Sequence, residues 1–337
     1  MSTTSGRPTH GETADWGSGW ADETWADETW ADEASAEEPI GTAPVGSRSL
    51  LAASAAPAVG TALSRITGLG RVAALTAALG LTSLADVYNL ANTAPNILYE
   101  LVIGGVLSST LVPLFIHAND TKARDADDDS ASVIVTVSFV AITVLAIVAV
   151  LLAPLVNMAF SWSLDGAERA RQQAIGDDFL ILLLPQIFFY GMMTLGTALL
   201  HAKRRFAAPA FAPVLTNVVI SAAALSVYFF LDDDGPSSLR TVWVLGLGTT
   251  AGIAAMAVAL LPAVRRSGTE LRWSFQPRHP AISSVLRLSG WTVGFAMANQ
   301  VSLLIVLTLA RGVGVGAVSA YQYAFIFFQL PHGLIAV

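Results

Sequence analysis

The stretch Ala62–Leu75, ALSRITGLGRVAAL, sets Arg65 and Arg71 inside a run that is otherwise almost wholly apolar from Leu50 to Leu81. What surrounds those two charges decides the fold. Over its 337 residues the chain is 54% hydrophobic and 13% charged, against roughly 25% charged in an ordinary soluble domain. A deficit of that size, spread over several long apolar runs, predicts an all-α, polytopic membrane helix bundle. An arginine at the centre of a bilayer costs about 3 kcal/mol on insertion scales, so such residues face a bundle interior or a wet cavity unless they can reach a headgroup layer. Reaching out could serve one of the two and serves both poorly, since Arg65 lies near the middle of the run.

Six residues separate the arginines, which on a helix puts them about 9 Å apart along the axis and about 120° apart around it. Gly68 and Gly70 lie between them. Glycine permits local unwinding or close helix approach, so a bend here would aim both guanidiniums into one space. The next apolar run, LADVYNLANTAPNILYELVIGG, carries Asp86, Asn89, Asn92, Asn96 and Glu100. Asn89, Asn92 and Asn96 recur at three- and four-residue steps and form one polar stripe, which faces other helices or water. Asp86 is expected near the outer end, where it could be exposed. Pro95 and Pro185 are expected to kink their helices.

Eight spans of sufficient length are legible, at about 50–80, 85–117, 131–160, 177–201, 208–231, 241–263, 281–310 and 314–337. One set of connecting loops holds Lys122 and Arg124, then Lys203, Arg204 and Arg205, then Arg265, Arg266, Arg272 and Arg278; the other holds Arg169, Arg171, Arg240 and Arg311. The richer set is assigned to the cytoplasm, which puts the N-terminus inside a multi-pass protein of the plasma membrane. The chain is divided into a disordered acidic tail at 1–49, a six-helix lobe at 50–263, a cytoplasmic linker at 264–280 and the start of a second lobe at 281–337. Because the last apolar run stops without a polar flank, the chain is expected to be the N-terminal portion of a longer protein.

The formal net charge of -7 comes from the tail, which holds ten acids beside Arg7 and Arg48. Residues 16–33 read WGSGWADETWADETWADE. A period of five spirals Trp20, Trp25 and Trp30 around a helix, so the segment reads as low-complexity and disordered. It could also recruit partners through its tryptophans. It has no basic region before an apolar core and cleavage site, so no removable signal peptide is expected, and the first membrane helix serves as the insertion signal.

Little else carries chemistry. The chain has no cysteine, which removes disulfides, thiolate catalysis and cysteine-held metal. Asp125, Asp127 and Asp129 open like a calcium loop, but Ser130 stands where glycine is required and Thr136 where glutamate is. That run and Asp232–Asp234 read as solvated loops. His10, His117, His201, His279 and His332 are scattered. Nothing points to an enzyme, a cofactor or nucleic-acid binding. The flat, permanently charged fork of arginine suits phosphate, so two arginines in a lined cavity point to an anionic substrate.

The segments SRITGLGR (Ser64–Arg71) and GLTSLADVYNLANTAPNILYELVIGGVLSSTLVPLF (Gly80–Phe115) resemble the start of the MurJ (MviN) family of the MOP exporter superfamily. RRFAAPAFAPVLTNV (Arg204–Val218) is similar to that family's fourth-to-fifth-helix turn. RLSGWTVGFAMANQVSLLI (Arg287–Ile305) is similar to its seventh helix, including Gly290 and Gln300. The alanine- and aspartate-rich composition resembles actinobacterial members. The resemblance implies fourteen helices in two lobes around a cationic cavity, of which this chain would supply the first lobe and two more helices. It implies alternating access that moves lipid II, a polyprenyl pyrophosphate carrying a disaccharide-pentapeptide, from the inner to the outer leaflet for cell-wall synthesis. On the positions that match, the implied substrate site comprises Arg65, Arg71, Asp86, Asn89, Asn92, Asn96 and Gln300. The chain departs from the family pattern at Tyr99 and Ile326, where arginines are frequent, and at Ile103, Gly104 and Gly105. Two other readings stay open: an exporter of another polyprenyl-linked glycan or of a drug, and a non-transporting scaffold whose tail recruits cell-wall synthesis proteins.

Overall fold

The computed structural model describes residues 47–100, 124–161, 166–231, 238–268 and 271–335. The WADET repeats, the second half of the 85–117 span, Lys122, Asp232–Asp234 and the departures at 103–105 lie outside them. Residues Ala52–Val337 form one compact unit and Met1–Leu51 another.

Among the described residues every regular element is a helix. In chain order they are α1 (Ser47–Leu79), α2 (Ser83–Tyr99), α3 (Arg124–Leu151), α4 (Ala153–Phe160), α5 (Gly166–Leu183), α6 (Gln186–Ala202), α7 (Ala207–Phe230), α8 (Leu239–Arg265), α9 (Pro280–Val313) and α10 (Ala317–Ile335). Hydrocarbon offers backbone groups no partner, so a chain this apolar must satisfy them within helices. Among the described residues, five helical stretches are long and apolar enough to cross a membrane: Ala131–Leu151, Arg169–Ala202, Ala207–Phe230, Leu239–Arg265 and Val293–Val313. They coincide with the third to seventh spans read from sequence. The other three spans correspond to α1, α2 and α10.

Local chemistry sets the helix ends. Thr82 caps α2 by accepting from the Ala85 N–H at 3.3 Å, and Ser238 caps α8 through the Thr241 N–H at 3.2 Å. The 131–160 span is two helices, because Pro154 sits in the first turn of α4 and the chain breaks at Leu152. Pro185 likewise parts α5 from α6. It has no N–H to offer the Ile181 carbonyl four residues before it, and the neighbouring Leu182 carbonyl accepts the Thr250 hydroxyl of α8 at 2.6 Å. Gln186 Nε2 donates to the same hydroxyl at 3.1 Å.

The core runs through α1, α2, α5 and α8, with Tyr88, Phe179, Leu183 and Leu245 among its fully enclosed side chains. Small residues bring the helices close, as membrane packing requires. A Cβ at Gly246 would fall 2.6 Å from Leu182 Cδ1, and one at Gly252 would fall 3.0 Å from Ile220 Cγ1. Gly196 lies beside Leu260 and Val264, so α5–α6 and α8 run in the same direction.

Three expectations need correction. The run Asp125–Asp129, read as a loop, is instead the start of α3. The helix α1 does not unwind at Gly68 and Gly70 but continues through both. Nor does close approach require Gly68: a Cβ there would meet the Asn217 amide of α7 at 3.6 Å, an ordinary contact, while Gly70 faces open space. Asp86 is not exposed at an outer end. It is 5% accessible, because α10 covers it.

Candidate substrate cavity

A cavity of about 520 Å³ opens among α1, α6, α7, α8 and α10, and both arginines line it. On α1 the lining positions are Thr61, Ser64, Arg65, Gly68, Leu69 and Arg71. At 100° per residue these cover one broad face, with the arginines on its two flanks and Gly68 between them. The straight helix therefore does what a bend was invoked to do, because the absent side chain at Gly68 leaves the space between the guanidiniums open. Arg65 is exposed into the cavity and Arg71 is half-buried.

The opposite wall is built from Tyr190 and Met193 of α6, Pro209 and Pro213 of α7 and Met256 of α8, with Ile326 and Gln329 contributed by α10. Tyr190 is backed by Tyr99 at a ring separation of 4.5 Å. Among the described residues no lining residue is acidic. Two fixed positive charges thus face a wall of mixed polarity with no carboxylate among its described residues, an arrangement whose field favours an anion. Asn217 anchors the arginine-bearing segment. Its amide donates to the Ser64 carbonyl at 2.9 Å and to the Thr67 hydroxyl at 3.1 Å, tying α1 to α7 beside Arg65.

The polar stripe of α2 does different work. Asp86 accepts hydrogen bonds from the Gly316 N–H at 2.7 Å, the Ser319 N–H at 2.9 Å and the Ser319 hydroxyl at 2.7 Å. Its charge therefore caps the positive end of α10. Asn89 donates to the Ser319 hydroxyl at 2.9 Å, and Gln322 donates to Thr93 at 3.0 Å. Asn92 and Asn96 are half-buried on the same helix, and Asn92 Oδ1 is enclosed with no hydrogen-bond partner. None of these residues, nor Gln300 on α9, lines the cavity.

Near the end of α9, Arg311 donates to the Phe160 carbonyl of α4 and to Gln172 Oε1 of α5. Sequence reasoning missed Tyr190, Asn217, Ser319 and Gln329. A lone asparagine in the apolar run at 208–231 was a usable signal for Asn217, and the seven-residue spacing of Gln322 and Gln329 was one for a polar face on α10.

Comparison with known proteins places this architecture. The family model "Lipid II flippase MurJ" matches residues 75–337. The chain is 30% identical over 282 residues to the lipid II flippase MurJ of Burkholderia cenocepacia, covering 82% of this chain and 53% of that protein. It is 28% identical over 278 residues to a probable lipid II flippase MurJ of Rhizobium tropici, covering 81% and 50%. The chain thus spans about half the length of the curated relatives it matches. A solved lipid II flippase MurJ in an inward closed conformation shares the fold with a TM-score of 0.65 at 22% identity, over 83% of this chain and 56% of that one. A multidrug resistance MATE family transporter of the MOP superfamily shares it with a TM-score of 0.60 at 14% identity, over 80% and 60%. The chain belongs to the MurJ family.

Proposed function

We propose that this chain contributes the first lobe and the first two second-lobe helices of a transporter that moves lipid II between leaflets of the bacterial plasma membrane. The observation that carries the proposal is the cavity flanked by Arg65 and Arg71 with no acidic residue among its described lining. A pyrophosphate held there receives paired hydrogen bonds from each guanidinium, and Thr216, Asn217 and Gln329 in the lining offer hydrogen bonds to the uncharged sugar and peptide groups of a headgroup. The MurJ names borne by the relatives support the same substrate.

In this reading Asp86, Asn89 and Gln322 act on the transport cycle by holding α10, not by touching the lipid. Alternating access requires α9–α10 to move against α2, which breaks those bonds in one state and remakes them in the other. The loop arginines support a cytoplasmic N-terminus. Residues 50–263 then form one lobe, 264–280 a cytoplasmic linker and 281–337 the start of the other.

Complementation tests the proposal. A bacterium depleted of its own lipid II flippase and expressing residues 1–337 is assayed for lipid II on the outer leaflet. Rescue that is lost in Arg65→Ala and Arg71→Ala, with insertion intact, supports the reading, and rescue by both variants contradicts it. A second reading, export of another polyprenyl-linked glycan, is favoured by Ile326 in the cavity wall, which leaves two cations among the described lining residues for the headgroup. Competition between purified lipids separates the two.

A further inference from the structure

The stretch between α8 and α9 is more than a connection. Residues 271–276 read LRWSFQ, apolar and polar in strict alternation. In an extended chain that puts Leu271, Trp273 and Phe275 on one side. The backbone is pinned along α3: the Arg272 N–H donates to the Ser132 hydroxyl and the Ser274 N–H to the Thr136 hydroxyl, both at 3.2 Å. The spacings agree, since two extended residues advance about 6.6 Å and one turn of α3 about 6 Å. The Trp273 ring meets Phe139 edge-on at 5.9 Å.

The position of this strap matters. Ser132 and Thr136 lie in the first two turns of a membrane-length apolar stretch that begins at Ala131, so the strap sits at one boundary of the bilayer. There Leu271 is 40%, Trp273 71% and Phe275 52% exposed. Arg265, Arg266, Arg272 and Arg278 are exposed around them, as are Arg204 and Arg205 at the parallel end of α6. The acidic run Asp127–Asp129 precedes Ala131 on α3, so charge alone does not choose the partner. Exposed aromatic side chains at bilayer-boundary depth, with Arg272 and Arg278 on either side of them, do choose it, because such rings belong among headgroups.

We propose that residues 271–278 form a lipid-interface strap, in which Trp273 and Phe275 enter the headgroup–acyl boundary and Arg265, Arg266, Arg272 and Arg278 bind the anionic headgroups of that leaflet. The inference rests on membrane embedding and not on the identity of the transported lipid. The strap ties the entry of α9 to the bilayer as well as to α3.

The native chain lacks cysteine, so single cysteines report without background. Trp273→Cys, Phe275→Cys and Gln276→Cys are made in the full chain, nitroxide-labelled and placed in vesicles of equal phosphatidylcholine and phosphatidylglycerol. Labels at 273 and 275 are expected to favour oxygen over a nickel chelate, and the label at 276 the reverse. In Arg272→Gln/Arg278→Gln, association of spin-labelled phosphatidylglycerol falls about two- to fivefold, while that of phosphatidylcholine is unchanged. Nickel access at 273 and 275 equal to that at 276 overturns the proposal. So does shielding from both reagents, which marks a protein surface as the occupant, and so does unchanged phosphatidylglycerol association in a variant of normal helicity.

Discussion

Asp86 takes both the backbone N–H and the hydroxyl of Ser319, at 2.9 and 2.7 Å, across 233 residues of sequence. One buried carboxylate therefore satisfies the start of α10 and fixes that helix against α2. Asp86→Asn keeps the shape but removes the charge and half of the acceptor capacity. The cap is expected to lose about 1–2 kcal/mol, read as faster amide exchange at Gly316 and Ser319. Exchange at the native rate would show that the carboxylate does not hold α10.

Gly316 and Gly70 form a contrasting pair. Gly316 has a φ of +85°, and a Cβ there would lie 2.6 Å from the Leu81 carbonyl oxygen. Gly316→Ala is expected to destabilise by more than ~1 kcal/mol. Gly70 is helical with open space around it, so Gly70→Ala is expected to be neutral or to stabilise by up to ~1 kcal/mol. Thermal melting of the two variants in the same detergent checks both signs, and equal melting temperatures would contradict the placement.

Thr250 repairs the break at Pro185. Thr250→Val leaves the Leu182 carbonyl and the Gln186 amide without that hydroxyl, at a cost of about 1–3 kcal/mol. Thr250→Ser restores the bonds and is expected to melt close to the native chain. If Val and Ser melt alike, the hydroxyl contributes nothing at the break.

Asn217→Leu removes both bonds from α7 to the Ser64–Thr67 turn of α1. Melting is expected to drop by the equivalent of about 2 kcal/mol, and affinity for a pyrophosphate lipid is expected to drop with it, because Arg65 loses its fixed backbone. An unchanged affinity would confine Asn217 to helix packing.

The sequence carried some of this plainly and some not at all. Arg65 and Arg71 were legible because a charge in an apolar run has few places to go, and Pro185 because a missing N–H weakens a helix, although α2, α7 and α8 continue through Pro95, Pro213 and Pro262. The burial of Asp86 was not legible, since its partners Gly316 and Ser319 lie some 230 positions away and nothing local marks them. Gly68 was misread as a hinge because glycine permits unwinding without requiring it, and only the unbroken course of α1 decides the matter. The strap at 271–276 was read as a plain linker; its period-two pattern is short, and its meaning comes from Ser132 and Thr136 beside it.

The central claim is that Arg65 and Arg71 together hold an anionic lipid headgroup. The most direct measurement is the dissociation constant of the full chain in lipid nanodiscs for a polyprenyl pyrophosphate disaccharide, native against Arg65→Gln/Arg71→Gln. Each charge-assisted contact contributes about 1.5–3 kcal/mol, so the double variant is predicted to bind at least a hundredfold more weakly while melting normally. Equal affinity in native and variant chains would contradict the account.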